Sequence, residues 1–89
     1  MEPKIKDIQI FPVRPKNGLV GFASLVFEDS FYLGNIGIRT RPQGGFRLNF
    51  PTRLIGNSNL PIFHPVNKKA YDLIESAVIA KFEELQSNQ

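Results

Sequence analysis

The chain has 89 residues, 42% of them hydrophobic, with eight Phe and no Cys, which excludes a disordered polymer, a disulfide framework and a thiolate metal site. Its length predicts one domain over residues 1–89, and no apolar run is long enough to span a membrane. The start Met1–Lys4 lacks a signal-peptide pattern, which together with the absence of Cys leads us to expect a cytoplasmic protein. The net charge is only +3.

The first two predicted elements are strands joined by a turn. Ile5–Val13 alternates apolar and polar residues, and Pro12, which has no N–H to donate, predicts that this strand lies at an edge or ends there. Asn17-Gly18 is a strong hairpin signal. Leu19–Phe27 is almost continuously apolar, which predicts a central strand covered on both sides.

The stretch Tyr32–Arg53 reads as a second hairpin, turning at Pro42–Gly45. Because side chains alternate along a strand, one face is expected to be apolar and the other basic. The apolar face would carry Ile36, Ile38, Phe46, Leu48 and Phe50. The basic face would carry Arg39, Arg41 and Arg47, with Arg53 just beyond it. Gly34 and Gly37 are expected to mark a bulge or the close approach of a backbone or ring.

The last third of the chain is predicted to be a loop followed by a helix. Leu54–Pro61 contains turn residues and is expected to be a mobile loop, and Ile62–His64 a short extended piece. Asn67 is a good N-cap for an amphipathic helix that frays at Ser87–Gln89. The apolar stripe of that helix is Tyr71, Ile74, Ala77, Val78, Phe82 and Leu85. Ile79 falls outside it, either as a subunit contact or as a tolerated exposed residue.

This element order predicts the α+β class. The economical architecture is an antiparallel sheet of four to five strands with one C-terminal amphipathic helix packed on its apolar face. A domain of this size buries a modest fraction of its surface, and a homodimer would add buried area.

The charges are unevenly distributed. From Ser30 to Lys69 there is no Asp or Glu, and there are six basic residues: Arg39, Arg41, Arg47, Arg53, Lys68 and Lys69. Such a block indicates a polyanion-binding surface, and we interpret these six residues as nucleic-acid-binding. The alternative is a solvated polar sheet face. Lys68 and Lys69 either complete an anion site at the helix N-terminus, or serve the helix, with Lys68 paired to Asp72.

No residue pattern indicates an enzyme. His64 is the one histidine and has no acidic residue nearby in sequence, so a structural role is favoured over catalysis. Gly44-Gly45 lacks the Lys-Ser/Thr and the helix of a phosphate-binding loop. We therefore expect no catalytic residues, no metal site, no cofactor and no small-molecule substrate.

Four segments carry a resemblance to a known family. They are IKDIQI, FEDSFYLGNIGI, GGFRLNFPTR, and IFHPVN followed by a helix ending AVIAKFEEL. In this order they resemble the bacterial SpoVG family, named for stage V sporulation protein G and described as septation regulators. The resemblance runs from about Ile5 to Leu85. FHPVN is its most specific match, to a His-Pro-Ile followed by a helix-capping residue.

The resemblance implies a small α+β homodimer that binds DNA, with RNA binding also reported, and acts as a regulator of cell division and sporulation. Arg53 matches the family's basic position after Met-Pro-Ser, and His64-Pro65 matches a structural turn before the helix. The chain departs from the family at Leu54, which replaces a second basic residue, and at Asn35, which replaces an acid. A sporulation role depends on the host.

We therefore expect a cytoplasmic, homodimeric nucleic-acid-binding regulator that does not bind membranes. The alternative is a protein–protein interaction module that uses the basic sheet face or the helix.

Overall fold

A computed structural model describes residues 2–87 of the chain. The elements are β1 (Ile5–Lys16), β2 (Leu19–Phe27), β3 (Phe31–Thr40), β4 (Phe46–Asn49), β5 (Thr52–Ile55), β6 (Ser58–Pro61) and α1 (Lys68–Ser87). Strands β1 to β4 form one antiparallel sheet in chain order, and β5 and β6 form a separate two-stranded sheet. Helix α1 packs on the larger sheet, which confirms the α+β architecture. The expected fraying of Asn88 and Gln89 lies outside the described residues.

Two tight turns set the register of the larger sheet. Asn17-Gly18 takes φ values of 53° and 88°, the positive pair that a two-residue type I′ hairpin turn requires. Glu28 and Asp29 adopt the same geometry without glycine, at 55° and 54°. Their strain is offset by the neighbouring strand, since the Lys4 amide donates to Glu28 Oε1 at 3.0 Å, and Lys6 and Lys4 hold Asp29 at 2.5 and 2.9 Å. Hydrogen bonds from Lys6 and then Lys4 lower the pKa of Asp29 to about 2.

The core lies between one face of the sheet and α1. Its buried residues are Ala23, Leu25, Ile36, Ile38 and Leu48 from the sheet and Ile74, Val78 and Phe82 from the helix, all at most 4% exposed. The Phe46 and Phe82 rings meet edge to face with centroids 5.0 Å apart. The helix begins as predicted, because Asn67 Oδ1 accepts a 2.8 Å hydrogen bond from the Ala70 amide.

A bulge interrupts the pairing of β2 with β3. The register passes from Ala23↔Ile36 to Leu25↔Leu33, so that Gly34 and Asn35 together oppose Ser24. Asn35 has a φ of 58°, and the Tyr32 ring lies so close to Gly34 that an added Cβ would sit 2.9 Å from Cε2. At Gly34 the bulge and the close ring are both confirmed, whereas Gly37 pairs in regular register, with atoms of Asn49 and Leu19 nearest to an added Cβ.

Four local predictions are wrong. The segment Leu54–Pro61 is not a loop, because most of it pairs as the hairpin of β5 and β6, turning at Gly56 (φ 61°). Ile62 and Phe63 lie in a bend and not in the expected extended piece. Ile79 is half-buried and packs against the core, so it is not a tolerated exposed residue; its role as a subunit contact stays a prediction. Strand β2 is central, but within residues 2–87 no helix or strand covers its second face.

The helix α1 lacks the sustained apolar run that crossing a bilayer requires, and no other helix within residues 2–87 has one.

Candidate nucleic-acid interface

The four-stranded sheet has two faces that differ in cover. The helix face packs on α1. We call the opposite side the open face. The residues on it are assigned from strand alternation and the cross-strand register. Its members are Lys6, Gln9 and Phe11 on β1, Leu19, Phe22, Ser24 and Val26 on β2, Tyr32, Gly37 and Arg39 on β3, and Arg47 and Asn49 on β4.

Arg39 and Arg47 are direct cross-strand partners on the open face. The Arg39 guanidinium donates from Nη1 to the Asn17 carbonyl at 3.0 Å, which anchors it at the β1–β2 turn. Arg47 is exposed, and within residues 2–87 neither arginine takes part in an ion pair. Like charges directly opposite one another destabilise a sheet, so an anion bound between the two would relieve this repulsion.

Arg41 does not share that face. It follows the last residue of β3, and its side chain turns to the helix side, where Nη2 bonds Glu75 Oε2 at 3.0 Å. Its Nε donates to the Phe46 carbonyl at 3.0 Å. The expectation of three arginines on one face is therefore wrong for Arg41, because strand alternation stops where β3 ends at Thr40.

The remaining cationic residues lie on other elements. Arg53 is exposed on β5. Lys68 and Lys69 are exposed in the first turn of α1, where the Lys68 ammonium bonds Asp72 Oδ2 at 2.6 Å. That hydrogen bond raises the pKa of Lys68. Lys68 was interpreted either as part of an anion site or as the partner of Asp72. The structure forms the ion pair with Asp72.

The helix start and the Arg39–Arg47 pair lie on opposite faces of the sheet. Residues Ala70 and Ile74 of the first helical turns line a cavity with Phe27 and Leu33, at the end of the sheet near the β2–β3 turn. The arginine pair lies at the opposite end, near Gly18, and on the opposite face. The structure therefore does not join Lys68 and Lys69 to the arginine surface, although all six cations belong to one acid-free stretch of sequence.

A shallow depression of about 430 Å³ lies beside the arginine pair. Its lining comes from the β1–β2 and β3–β4 turns and the strand ends beside them: Asn17, Gly18, Arg39, Thr40, Arg41, Pro42, Gln43 and Arg47. Guanidinium groups present planar forks of donors, and phosphate oxygens are their natural acceptors. The depression is therefore chemically suited to phosphate groups.

His64 lies outside this surface, beside the helix start. Its Nδ1 is 2.9 Å from the Pro65 carbonyl, and the ring lines the cavity with Phe50 and Phe63. Among residues 2–87, no three His, Asp or Glu side chains come close enough to share a metal ion.

Three aromatic residues of the open face were not recognised as site candidates from the sequence. Phe11 and Phe22 are cross-strand partners, and Tyr32 lies on β3 beyond the bulge. The signal that could have found them is the apolar run of β2. A strand that is apolar on both faces needs a second covering element, and residues 2–87 supply only α1.

Comparison with known proteins gives a consistent result. The family model named SpoVG matches residues 3–84. A relative from Onion yellows phytoplasma is 30% identical over 86 residues, covering 96% of this chain and 86% of the relative. A relative from Finegoldia magna is 34% identical over 82 residues, covering 91% of this chain and 75% of the relative. Both carry names that refer to SpoVG and to septation.

Proposed function

The chain belongs to the SpoVG family, and from that premise we propose that it is a nucleic-acid-binding regulatory protein, with DNA or RNA as its ligand, that works as a homodimer. Its link to septation would be the one that the names of its relatives carry. The observation that carries the proposal is the cross-strand pair Arg39–Arg47, two like charges held opposite one another without a carboxylate partner among the described residues.

The energetics of this pair favour a polyanion over a solvated polar face. A one-sided sheet needs polar residues on its exposed side, but those residues usually include acids that neutralise the bases. Here the repulsion is retained, and the Asn17 carbonyl fixes one of the two guanidinium groups in place. A bound phosphate backbone would gain two charge-assisted contacts and remove the repulsion.

Four further cations on other elements would extend the contact with nucleic acid. Arg53 and Lys69 would do so more strongly than Lys68 and Arg41. Arg53 and Lys69 are exposed, whereas Lys68 and Arg41 already hold Asp72 and Glu75. We therefore place Arg39 and Arg47 at the centre of the site, with the other four in supporting positions. A nucleic acid would have to wrap around the edge of the sheet, or bridge two protomers, to reach all six.

The hairpin of β5 and β6 supports a homodimer. A two-stranded hairpin is marginally stable in isolation, and here both strands are exposed along their whole length. Leu54, Ile55 and Leu60 expose apolar side chains on it. Packing this hairpin on a second copy would bury them and would bring Arg53 of each protomer to the dimer seam.

The test is fluorescence anisotropy with short duplex DNA, single-stranded DNA and RNA across a salt series. If about six phosphates are neutralised per bound duplex, log K should fall with log salt at a slope near −5. Arg47→Gln should reduce the slope by about one for each protomer that contacts the ligand. Lys81→Gln, which removes the same unit of charge from the helix, is the matched control and should leave the slope unchanged.

Absence of salt-dependent binding to any of the three nucleic acids would overturn the proposal. Retained binding by Arg47→Gln with an unchanged slope would move the site away from the open face. Sedimentation of the wild type against Leu54→Ser/Leu60→Ser tests the dimer separately. The double variant should sediment as a monomer, and a wild type that is monomeric at high concentration would exclude the homodimer.

A further inference from the structure

The open face presents more than the arginine pair. The register aligns Phe11, Phe22, Gly37 and Asn49 in one line across the four strands. We call this line the aromatic row. The next line along the strands holds Leu19, Arg39 and Arg47. Residues two apart on a strand are separated by roughly 7 Å, so the line of cations is one step along the strands from the aromatic row. Across the sheet, Phe22 lies one strand and Phe11 two strands from Arg39.

Aromatic rings are accessible on this face. Phe11 is 50% exposed, and Phe22 is half-buried beside it. Tyr32 is 70% exposed, and its ring lies so close to Gly34 that a Cβ added there would sit 2.9 Å from Cε2. Gly34 is thus required for the position of the Tyr32 ring, because a larger residue would push the ring away. The bulge therefore sets a third ring on the same face as the aromatic row.

Polar groups lie between the rings. Ser24 and Gln9 are cross-strand partners between the aromatic row and Tyr32, and Asn49 ends the row on β4. Ser24 is buried, with 2% of the residue exposed, and its hydroxyl has no hydrogen-bond partner among residues 2–87, so the accessible polar groups are Gln9 and Asn49. Amides next to exposed rings provide donors and acceptors for the edges of stacked bases.

We infer that the open face binds a single-stranded segment of nucleic acid, with bases stacked on Phe11, Phe22 and Tyr32 and phosphates held by Arg39 and Arg47. This inference rests on the proposed function and specifies the form of the ligand. Rings on an uncovered sheet beside cations are the means by which proteins hold unpaired bases. A duplex keeps its bases stacked on each other, and would leave these rings without a partner.

The charge of the face distinguishes this ligand from a protein partner. An apolar partner would have to desolvate Arg39 and Arg47 without neutralising them, which is costly. A single strand offers both a π surface for the rings and an anionic backbone for the arginines. It also accounts for the apolar character of β2 on its second face, since a stacked base covers apolar surface as a helix would.

The test compares variants at neighbouring positions on opposite faces of β3. Tyr32→Leu should weaken binding of a labelled oligothymidylate or oligouridylate of about twelve nucleotides by roughly 5- to 30-fold. Tyr32→Phe keeps the ring and should bind within about twofold of the wild type, since stacking uses the π face. Phe31→Leu is the matched control, because Phe31 is the preceding residue, is 63% exposed and lies on the helix side by alternation. It should bind as the wild type does.

A second measurement uses the absence of Trp from the chain. In Phe11→Trp the introduced indole is the sole tryptophan, and stacking of a base on it should quench its fluorescence as the oligonucleotide is added. Duplex DNA of the same length should quench it much less. Because Phe11 and Tyr32 are exposed, neither substitution should change the melting temperature appreciably, and circular dichroism checks this.

The outcomes separate this inference from the proposed function. Salt-dependent binding of duplex and single strand with equal affinity, unaffected by Tyr32→Leu, would overturn the stacking inference and leave the proposed function intact. Loss of all binding by the wild type would overturn both. A Tyr32→Leu protein that changes its sedimentation but not its affinity would show that the open face contacts a second copy, which also overturns the inference.

Discussion

The two faces of the four-stranded sheet are built from alternate residues of the same strands, yet they have opposite surroundings. On the helix face, Leu25, Ile36 and Ile38 are completely buried under α1. On the open face, Tyr32 and Phe11 are at least half exposed, and Arg39 and Arg47 stand opposite each other. The first face supplies the buried area on which stability depends, and the second has the composition of a binding surface.

This difference shows how a small domain divides its apolar residues. The single helix covers one face only, so the apolar residues on the other face remain available for contacts outside the chain. Exposed aromatic residues that are unnecessary for folding can be retained for a ligand. Substitutions on the helix face should therefore cost stability, and substitutions on the open face should cost binding.

The largest expected effect is on the helix face. Leu25→Ala should lower the free energy of unfolding by about 2–5 kcal/mol, because it removes buried methyl groups and leaves a cavity under α1. Urea denaturation followed by circular dichroism measures it. Val26→Ala, the next residue on the open face, is the matched control. Equal losses at the two positions would show that the open face is covered in solution.

A smaller effect is expected where the helix begins. Asn67→Ala removes the acceptor of the 2.8 Å hydrogen bond from the Ala70 amide and should cost about 1 kcal/mol. Asn67→Asp keeps the acceptor and adds a charge that favours the positive end of the helix dipole, so it should retain stability. If both variants lost the same amount, the cap would not be the source of the loss.

The residues of the helix face were predicted well from the sequence, because they follow from the local spacing of apolar and capping residues. The Asn67 cap, the stripe through Ile74, Val78 and Phe82, and the alternation of β3 and β4 each follow from spacing alone. The hairpin of β5 and β6 was missed. Its turn at Gly56-Asn57 joins strands of only four residues, and such short strands resemble a loop in sequence.

The basic surface was predicted only in part, because contiguity in sequence is not contiguity in space. An acid-free block covers Ser30 to Lys69, but Arg41 after β3 pairs with Glu75, and Lys68 begins a helix that packs on the other face of the sheet. The rings of the open face were missed for a related reason. Their exposure depends on which face of the sheet α1 covers, and the sequence of β2 alone does not encode this.

Arg41 and Arg47 allow the two faces to be compared directly. Strand alternation predicted both on the same face, but the structure places them on different faces. Arg41→Gln breaks the ion pair with Glu75 and should lower stability by up to about 1 kcal/mol, with less effect at high salt. Arg47→Gln removes a repulsive cross-strand pair and should raise stability by a few tenths of a kcal/mol, roughly. Thermal melting at low and high salt measures both. Destabilisation by both substitutions would indicate that Arg47 has an attractive partner in the folded protein.

The smallest effect concerns the end of the open face, where Asp29 holds Lys6. Hydrogen bonds from Lys6 and Lys4 lower the pKa of Asp29 from 3.8 to about 2, so the ionised carboxylate favours the folded state. That stabilisation is complete above the ordinary pKa and is lost as the pH falls through the folded value. The melting temperature of the wild type should therefore exceed that of Asp29→Asn at pH 6, with a gap that closes between about pH 4 and pH 2.

Asp29→Asn also tests whether positive charge on the open face limits the affinity for nucleic acid. By register Lys6 is the cross-strand partner of Val26 on that face, and Asp29 neutralises it. Asp29→Asn should therefore lose a little stability and gain affinity for nucleic acid at low salt, because it releases Lys6 toward the ligand. Opposite signs for folding and binding from one substitution would separate the roles of the two faces. A gap in melting temperature that stays constant from pH 6 to pH 2 would mean that the carboxylate is not paired in solution.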